Sequence, residues 1–154
     1  MSETKSIVRQ LADKHGRTRE SLLPILQDYI SEQHHVSKEA MNKIAEELDL
    51  SAAQVYGTTS FYSFLDIIPR GKYTIRICKT ITCDMHGKRE IVNAIEALLK
   101  IKLGETTHDN KFTLLETNCL GQCHKGPAML INEEVYTELT PERISEILLT
   151  YIEK

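Results

Sequence analysis

The sequence predicts an α+β protein, all-helical over residues 1–68 and mixed strand and helix over residues 69–154. Three observations lead there. Residues before 68 repeat apolar side chains at the 3.6-residue spacing of amphipathic helices. Pro69-Arg70-Gly71 then interrupts that texture. Beyond it, Tyr73, Ile75 and Ile77 alternate with Lys72, Thr74 and Arg76, the period-two signature of a strand running to Cys78.

The helical part divides into four. Ile7 and Leu11 line a short first helix. Ser21 is expected to cap a second, which puts Pro24 at the third helical position, where no intrahelical N–H bond is required. Its stripe is Leu22, Ile25, Leu26, Tyr29 and Ile30. A third helix starts at Ser37 and buries Met41, Ile44, Ala45 and Leu48. The fourth opens with Ser51-Ala52-Ala53-Gln54, a capping box, and is expected to continue through Val55, Thr59, Tyr62 and Leu65. Phe61, Tyr62 and Phe64 cannot all face one core at 100° per residue, so core packing and a partner contact both stand open for them.

In the second part, residues 88–101 carry a helical stripe of Ile91, Ala94, Ile95, Leu98 and Leu99, and residues 111–116 form a second strand. Residues 128–131 and 134–136 flank Asn132-Glu133, which predicts a hairpin. Thr140-Pro141-Glu142 starts a last helix with a cap, a proline at the first position and an acid at the positive end; Ile144, Ile147, Leu148 and Tyr151 form its buried face. The order β-α-β-β-β-α resembles a thioredoxin-like layout. Such folds often have a cis proline where Pro127 falls, so both isomers of the Gly126–Pro127 bond stand open.

Bulk properties exclude several classes. A chain of 154 residues with 41% hydrophobic and 27% charged residues is long enough for one large or two small globular domains. A net charge of −3 without a polybasic run argues against nucleic-acid binding. No run of 18 apolar residues spans a membrane, and residues 1–17 lack an apolar signal core, so a cytoplasmic location is expected. No Ser-His-Asp set, phosphate loop or dinucleotide fingerprint occurs, so no catalytic residue is assigned.

Four cysteines carry the chemistry. Cys78-x4-Cys83 is separated by 35 residues from Cys119-x3-Cys123, and each pair sits where a strand runs out into a loop. Reduced thiols grouped in this way point to a metal or redox site. Two loops at one end of a sheet bring four thiolates to one point, as a [2Fe–2S] cluster requires. Structural zinc and unrelated core thiols are the competing readings. No Cys-x-x-Cys is present for dithiol redox chemistry, and Cys83-x2-His86 lacks the Cys-x-His companion of a Rieske site. A cluster with four thiolates is anionic and needs N–H donors and positive groups around it. Gly87, Gly121 and Gly126 would let amides approach the sulfurs, and Lys79, Lys88, Arg89, His124 and Lys125 would supply charge.

These residues also match a known family. Val55-Tyr56-Gly57-Thr58-Thr59-Ser60-Phe61-Tyr62-Ser63-Phe64, Pro69-Arg70-Gly71-Lys72 and the run from Cys119 through Cys123 to Ala128 resemble the thioredoxin-like [2Fe–2S] ferredoxin subunits. These are the E-type subunits of bacterial NADH:quinone oxidoreductase and their relatives in NAD(P)-linked or electron-bifurcating hydrogenases and formate dehydrogenases. Asn132, Tyr136 and Leu139-Thr140-Pro141-Glu142 continue the match, which runs from about residue 20 to the end. The resemblance implies a [2Fe–2S] cluster whose iron ligands are Cys78, Cys83, Cys119 and Cys123. It implies a non-catalytic electron-transfer subunit that docks through its helical bundle on a flavoprotein subunit binding FMN and NAD(H), alongside further Fe–S subunits. A freestanding thioredoxin-like ferredoxin and a structural four-cysteine zinc module for assembly are the alternatives. The family often has Asn or Gly after the first cysteine and Gly-Ser soon after the second. Here Lys79 to Thr82 and Asp84 to Lys88 depart from that pattern, and their positive charge would raise the potential.

Overall fold

The computed structural model describes residues 2–154. In order they form α1 (Ser2–His15), α2 (Leu22–Gln33), α3 (Lys38–Leu48), α4 (Ala52–Phe61), β1 (Tyr73–Cys78), α5 (Ile81–Met85), α6 (Lys88–Leu99), β2 (Phe112–Thr117), β3 (Met129–Ile131), β4 (Glu134–Tyr136) and α7 (Pro141–Ile152). Short 3-10 turns lie at Arg19–Ser21 and Cys123–Lys125. The chain divides into two compact units, one ending at Arg70 and one running from Gly71 to Lys154.

The first unit is a helical bundle. Its core gathers Val8, Leu11, Ile25, Leu26, Ile44, Leu48 and Val55, the faces that the helical spacing marks out. Two caps form as expected. Ser37 Oγ accepts from the Ala40 amide at 3.2 Å. Ser51 and Gln54 complete the capping box, with Gln54 N–H donating to Ser51 Oγ and Ser51 N–H to Gln54 Oε1. Each such cap contributes about 1 kcal/mol. Ser21 differs from expectation. The preceding 3-10 turn puts it in helical geometry, so its hydroxyl donates to the His15 carbonyl at 2.8 Å rather than capping α2. The fourth helix is also shorter than expected. It ends at Phe61, with Tyr62 extended. Thr59 and Ser60 turn their hydroxyls back onto the Val55 and Gly57 carbonyls, and such residues hold a helix weakly. Leu65 still reaches the core from the following turn.

The second unit is a four-stranded sheet in the order β2-β1-β3-β4. β1 and β2 are parallel, from Tyr73↔Phe112 to Cys78↔Thr117. β3 runs antiparallel to β1 and pairs with β4 as a hairpin. Asn132 sits at the hairpin turn with φ 53, a conformation that asparagine tolerates. Its side chain ties the turn to β1, accepting from Thr74 N–H and donating to the Lys72 carbonyl. Ile91 and Ile95 of α6, and Ile144 and Leu148 of α7, share one core with Ile75, Ile77, Leu114, Met129 and Ile131 of the sheet. Thr140 caps α7 by accepting from Arg143 N–H at 3.2 Å, with Pro141 at the first position. The Gly126–Pro127 bond is cis. The architecture is α+β: N-terminal helices followed by a thioredoxin-like unit. Among the described residues no helix is long and apolar enough to cross a membrane.

Candidate metal centre

Topology sets the site. Parallel β1 and β2 end side by side at Cys78 and Thr117, and antiparallel β3 begins at that same end. Two backbone bonds extend the ladder beyond the strands: Cys78 N–H donates to the Ala128 carbonyl at 3.2 Å, and Lys79 N–H to the Thr117 carbonyl at 2.9 Å. The loops leaving β1 and β2 and entering β3 are thereby drawn together. Cys78 is the last residue of β1. Cys83 returns toward it on α5, a single turn started by extended Thr80, whose carbonyl accepts from Asp84 N–H at 3.1 Å. Cys119 lies two residues past β2, and Cys123 opens the second 3-10 turn.

The thiols meet as two pairs. Cys119 Sγ and Cys123 Sγ are 3.2 Å apart, and the Gly121 amide donates to Cys119 Sγ at 3.3 Å. The Cys78 and Cys83 thiols interact with one another, and Thr80 Oγ1 lies 3.1 Å from Cys78 Sγ. The second loop also reaches the first pair: the backbone at Leu120 favours the charged form of Cys78 and that at Ala128 the charged form of Cys83. A Cβ added at Gly126 would sit 3.5 Å from Cys83 Sγ, so this glycine keeps the space beside the sulfur open. Exposure separates the pairs. Cys78 and Cys83 are each 1% exposed, whereas Cys119 and Cys123 face solvent.

Electrostatics follow the same division. Burial pushes the Cys78 thiol up, but the Thr80 hydroxyl and amide, the Cys83 thiol and the Leu120 amide outweigh it and hold Cys78 below the usual thiol value. At Cys83 burial wins; the Ala128 amide opposes it, and the neighbouring Cys78 adds to the rise. Cys123 is raised by its hydrogen bond and charge interaction with Cys119, then by burial, then by the charges of Cys78 and Cys83. That last influence joins all four sulfurs in one electrostatic neighbourhood. Four thiols with convergent amide donors fit an anionic cluster. Two pairs of thiolates would suit the two irons of a [2Fe–2S] cluster. Among the described residues no three His, Cys, Asp or Glu side chains gather as a single-ion site.

Other residues singled out in the sequence fall differently. Gly121 and Gly126 lie against the sulfurs, but the Gly87 amide donates to the Asp84 carbonyl, and Gly87, at φ 90, serves the turn into α6. Lys88 is paired with Glu116, which offsets its charge. His86 is exposed and its Nδ1 bonds the Thr82 carbonyl at 2.6 Å; Lys79, Arg89, His124 and Lys125 are exposed as well. Sequence reasoning missed Thr80, Leu120 and Ala128. Thr80 carried a signal, a hydroxyl two residues after a cysteine, but the two amides carried none.

Known proteins are similar to this chain in sequence and in fold. The sequence profile of the thioredoxin-like [2Fe-2S] ferredoxin family matches residues 8–152. The E-type subunit of the NADH-quinone oxidoreductase of Buchnera aphidicola subsp. Acyrthosiphon pisum is 46% identical over 116 residues, 75% of this chain and 72% of that protein. Its counterpart in Escherichia coli K12 is 45% identical over 112 residues, 73% of this chain and 68% of that one. In fold, the chain is similar to part of an NAD+-reducing [NiFe]-hydrogenase in its H2-reduced state, with a TM-score of 0.78 and 24% identity, covering 90% of this chain and 23% of the hydrogenase chain. The profile runs through both units and includes every cysteine: the chain belongs to the thioredoxin-like [2Fe-2S] ferredoxin family.

Proposed function

We propose that Cys78, Cys83, Cys119 and Cys123 are the iron ligands of one [2Fe–2S] cluster, the cofactor that family membership implies. On this reading the chain is a non-catalytic electron-transfer subunit of a multisubunit NAD(P)H-linked oxidoreductase, exchanging electrons with the flavin of a partner subunit that binds FMN and NAD(H). The observation that carries it is the closeness of one thiol loop to the other pair: Gly126, three residues past Cys123, lies beside Cys83, where an added Cβ would sit 3.5 Å from Cys83 Sγ. The names of the curated relatives, E-type subunits of NADH-quinone oxidoreductase, support the NADH-linked setting. Further Fe–S subunits of the same complex and a cytoplasmic location belong to the same proposal.

The bound cluster supplies a one-electron redox couple. The chain's own residues do the rest. Buried Cys78 and Cys83 keep water from one side, and amides of Leu120, Gly121 and Ala128 offset the anionic charge. Exposed Cys119 and Cys123 turn toward a redox partner. Residues 69–154 form the cluster domain and residues 1–68 the docking part. Phe61 is 80% exposed, Tyr62 and Phe64 are exposed as well, and Phe61 and Tyr62 border a groove of about 380 Å³. Aromatic side chains on a surface favour protein contacts.

Anaerobic purification with iron and sulfide analysis tests the reading, followed by capture of bound proteins and identification of flavin among them. A brown protein with two irons and two sulfides per chain that retains a flavoprotein is the expected result. Colourless protein with one zinc per chain would instead make it a structural module. Brown protein that retains no flavoprotein would make it a freestanding ferredoxin.

A further inference from the structure

Thr80 has an unspent hydroxyl in a place where threonine normally caps a helix. It is the N-cap of α5, with the extended backbone (φ −69, ψ 154) that lets a cap side chain accept from the first-turn amides, yet it makes no such bond. Its Oγ1 turns back instead and lies 3.1 Å from Cys78 Sγ. A sulfur bound to iron is a thiolate and has no proton to give, so the hydroxyl is the donor. Cys78 and Cys83 are each 1% exposed, and burial strips them of the water that stabilises charge at the exposed pair.

We infer that Thr80 sets the redox potential of the site, by donating a hydrogen bond to the buried Cys78 sulfur that strengthens when the cluster gains an electron. This inference rests on the cluster assignment above. Reduction makes the sulfurs more negative, so a donor favours the reduced state and raises the potential. The hydroxyl binds no iron; it acts through Cys78 as a positioning and tuning residue.

Redox titration of the cluster-loaded chain, followed by electron paramagnetic resonance, tests it. Thr80→Val keeps the shape and removes the donor. It should shift the one-electron equilibrium toward the oxidised state about fivefold, a fall of about 40 mV at 59 mV per tenfold, with Thr80→Ala falling likewise. Thr80→Ser restores the donor and should return most of the shift. An unmoved midpoint in Thr80→Val, or an equal fall in Thr80→Ser, overturns the inference while leaving the brown cluster and the function reading intact. If Thr80→Val and Thr80→Ala fail to load a cluster, a Thr80→Ser chain that loads and keeps a near wild-type midpoint supports the donor, because Ser and Ala differ only by the hydroxyl; a Thr80→Ser chain that loads with a midpoint about 40 mV lower overturns it. Failure of all three overturns it. A wild-type chain that binds zinc and never turns brown removes the function reading first.

Discussion

The two cysteine pairs share a chemistry but not a setting. Cys78 and Cys83 are built into the end of β1 and the turn of α5, buried and served by the Thr80 hydroxyl and by amides from the other loop. Cys119 and Cys123 sit in a loop and a 3-10 turn, exposed, with the Gly121 amide donating to Cys119. The contrast teaches that one pair is part of the scaffold and the other part of the surface. On the proposed reading, the buried pair would define where a cluster sits, and the exposed pair would close it and face outward.

The largest expected effect breaks that contrast at the buried pair. Cys83→Ser should lower iron content at least about tenfold and cost about 1–3 kcal/mol of stability without the cluster, because the smaller, more strongly hydrated hydroxyl is desolvated there and fills the buried site less well. Cys123→Ser should change the stability of the cluster-free chain by no more than about 0.5 kcal/mol, because its site is solvated. Iron analysis and denaturant unfolding measure both; equal costs at the two pairs would erase the distinction. Next is access. In the cluster-free chain, Cys119 and Cys123 should react with an alkylating agent about tenfold or more faster than Cys78 and Cys83, as mass spectrometry of peptides will show. The depressed value of the Cys78 thiol favours its reaction, but burial opposes it. Matched rates would mean that the inner loop opens as readily as the outer one.

The third effect concerns the space beside Cys83. An added Cβ at Gly126 meets Cys83 Sγ at ordinary contact distance, 3.5 Å. Gly126→Ala should therefore keep near-normal iron content, while the further methyls of Gly126→Val should lower it about twofold or more. A valine variant with full iron content would show that the inner sulfur tolerates crowding.

The smallest effect lies away from the sulfurs and tests whether the others are local. Tyr151 donates to Glu134 at 2.7 Å and meets the Tyr136 hydroxyl at 2.9 Å. Burial, then Tyr136 and Glu134, hold its phenol well above the usual tyrosine range. Below about pH 10 the phenol is protonated in both folded and unfolded chains. Above that the unfolded chain releases the proton first, so stability falls as pH rises. Tyr151→Phe should flatten the decline in Tm between about pH 9.5 and 11, with iron content unchanged. A decline as steep as the wild type's would place the alkaline sensitivity elsewhere.

Much of this was legible in the sequence because local signals agreed with the fold. Ser37 and Ser51 announce their helices with caps that form, and Thr140-Pro141 does the same for α7. What stayed hidden had no period to read. α5 has five residues, too few to show a helical stripe, and it carries Ile81 and Met85 exposed. Ser21 has the residue type of a cap, but the preceding turn takes its hydroxyl elsewhere. At the site, side chains could be named from sequence, whereas the Leu120 and Ala128 donors are backbone groups that any residue supplies. Lys88 was readable as a charge near a cysteine, but its partner Glu116 comes from a neighbouring strand and only folding brings the two together.

The parallel register of β1 against β2 has a consequence for biogenesis. Strand side chains alternate between faces, so sliding β1 by a single residue would send the Cys78 thiol to the opposite side of the sheet. Parallel partners meet only after the intervening helices have closed their long detour, which makes this alignment slow to reach. On the proposed cluster reading, a chain threaded with β1 one step out of line would present an incomplete set of thiols at that end of the sheet.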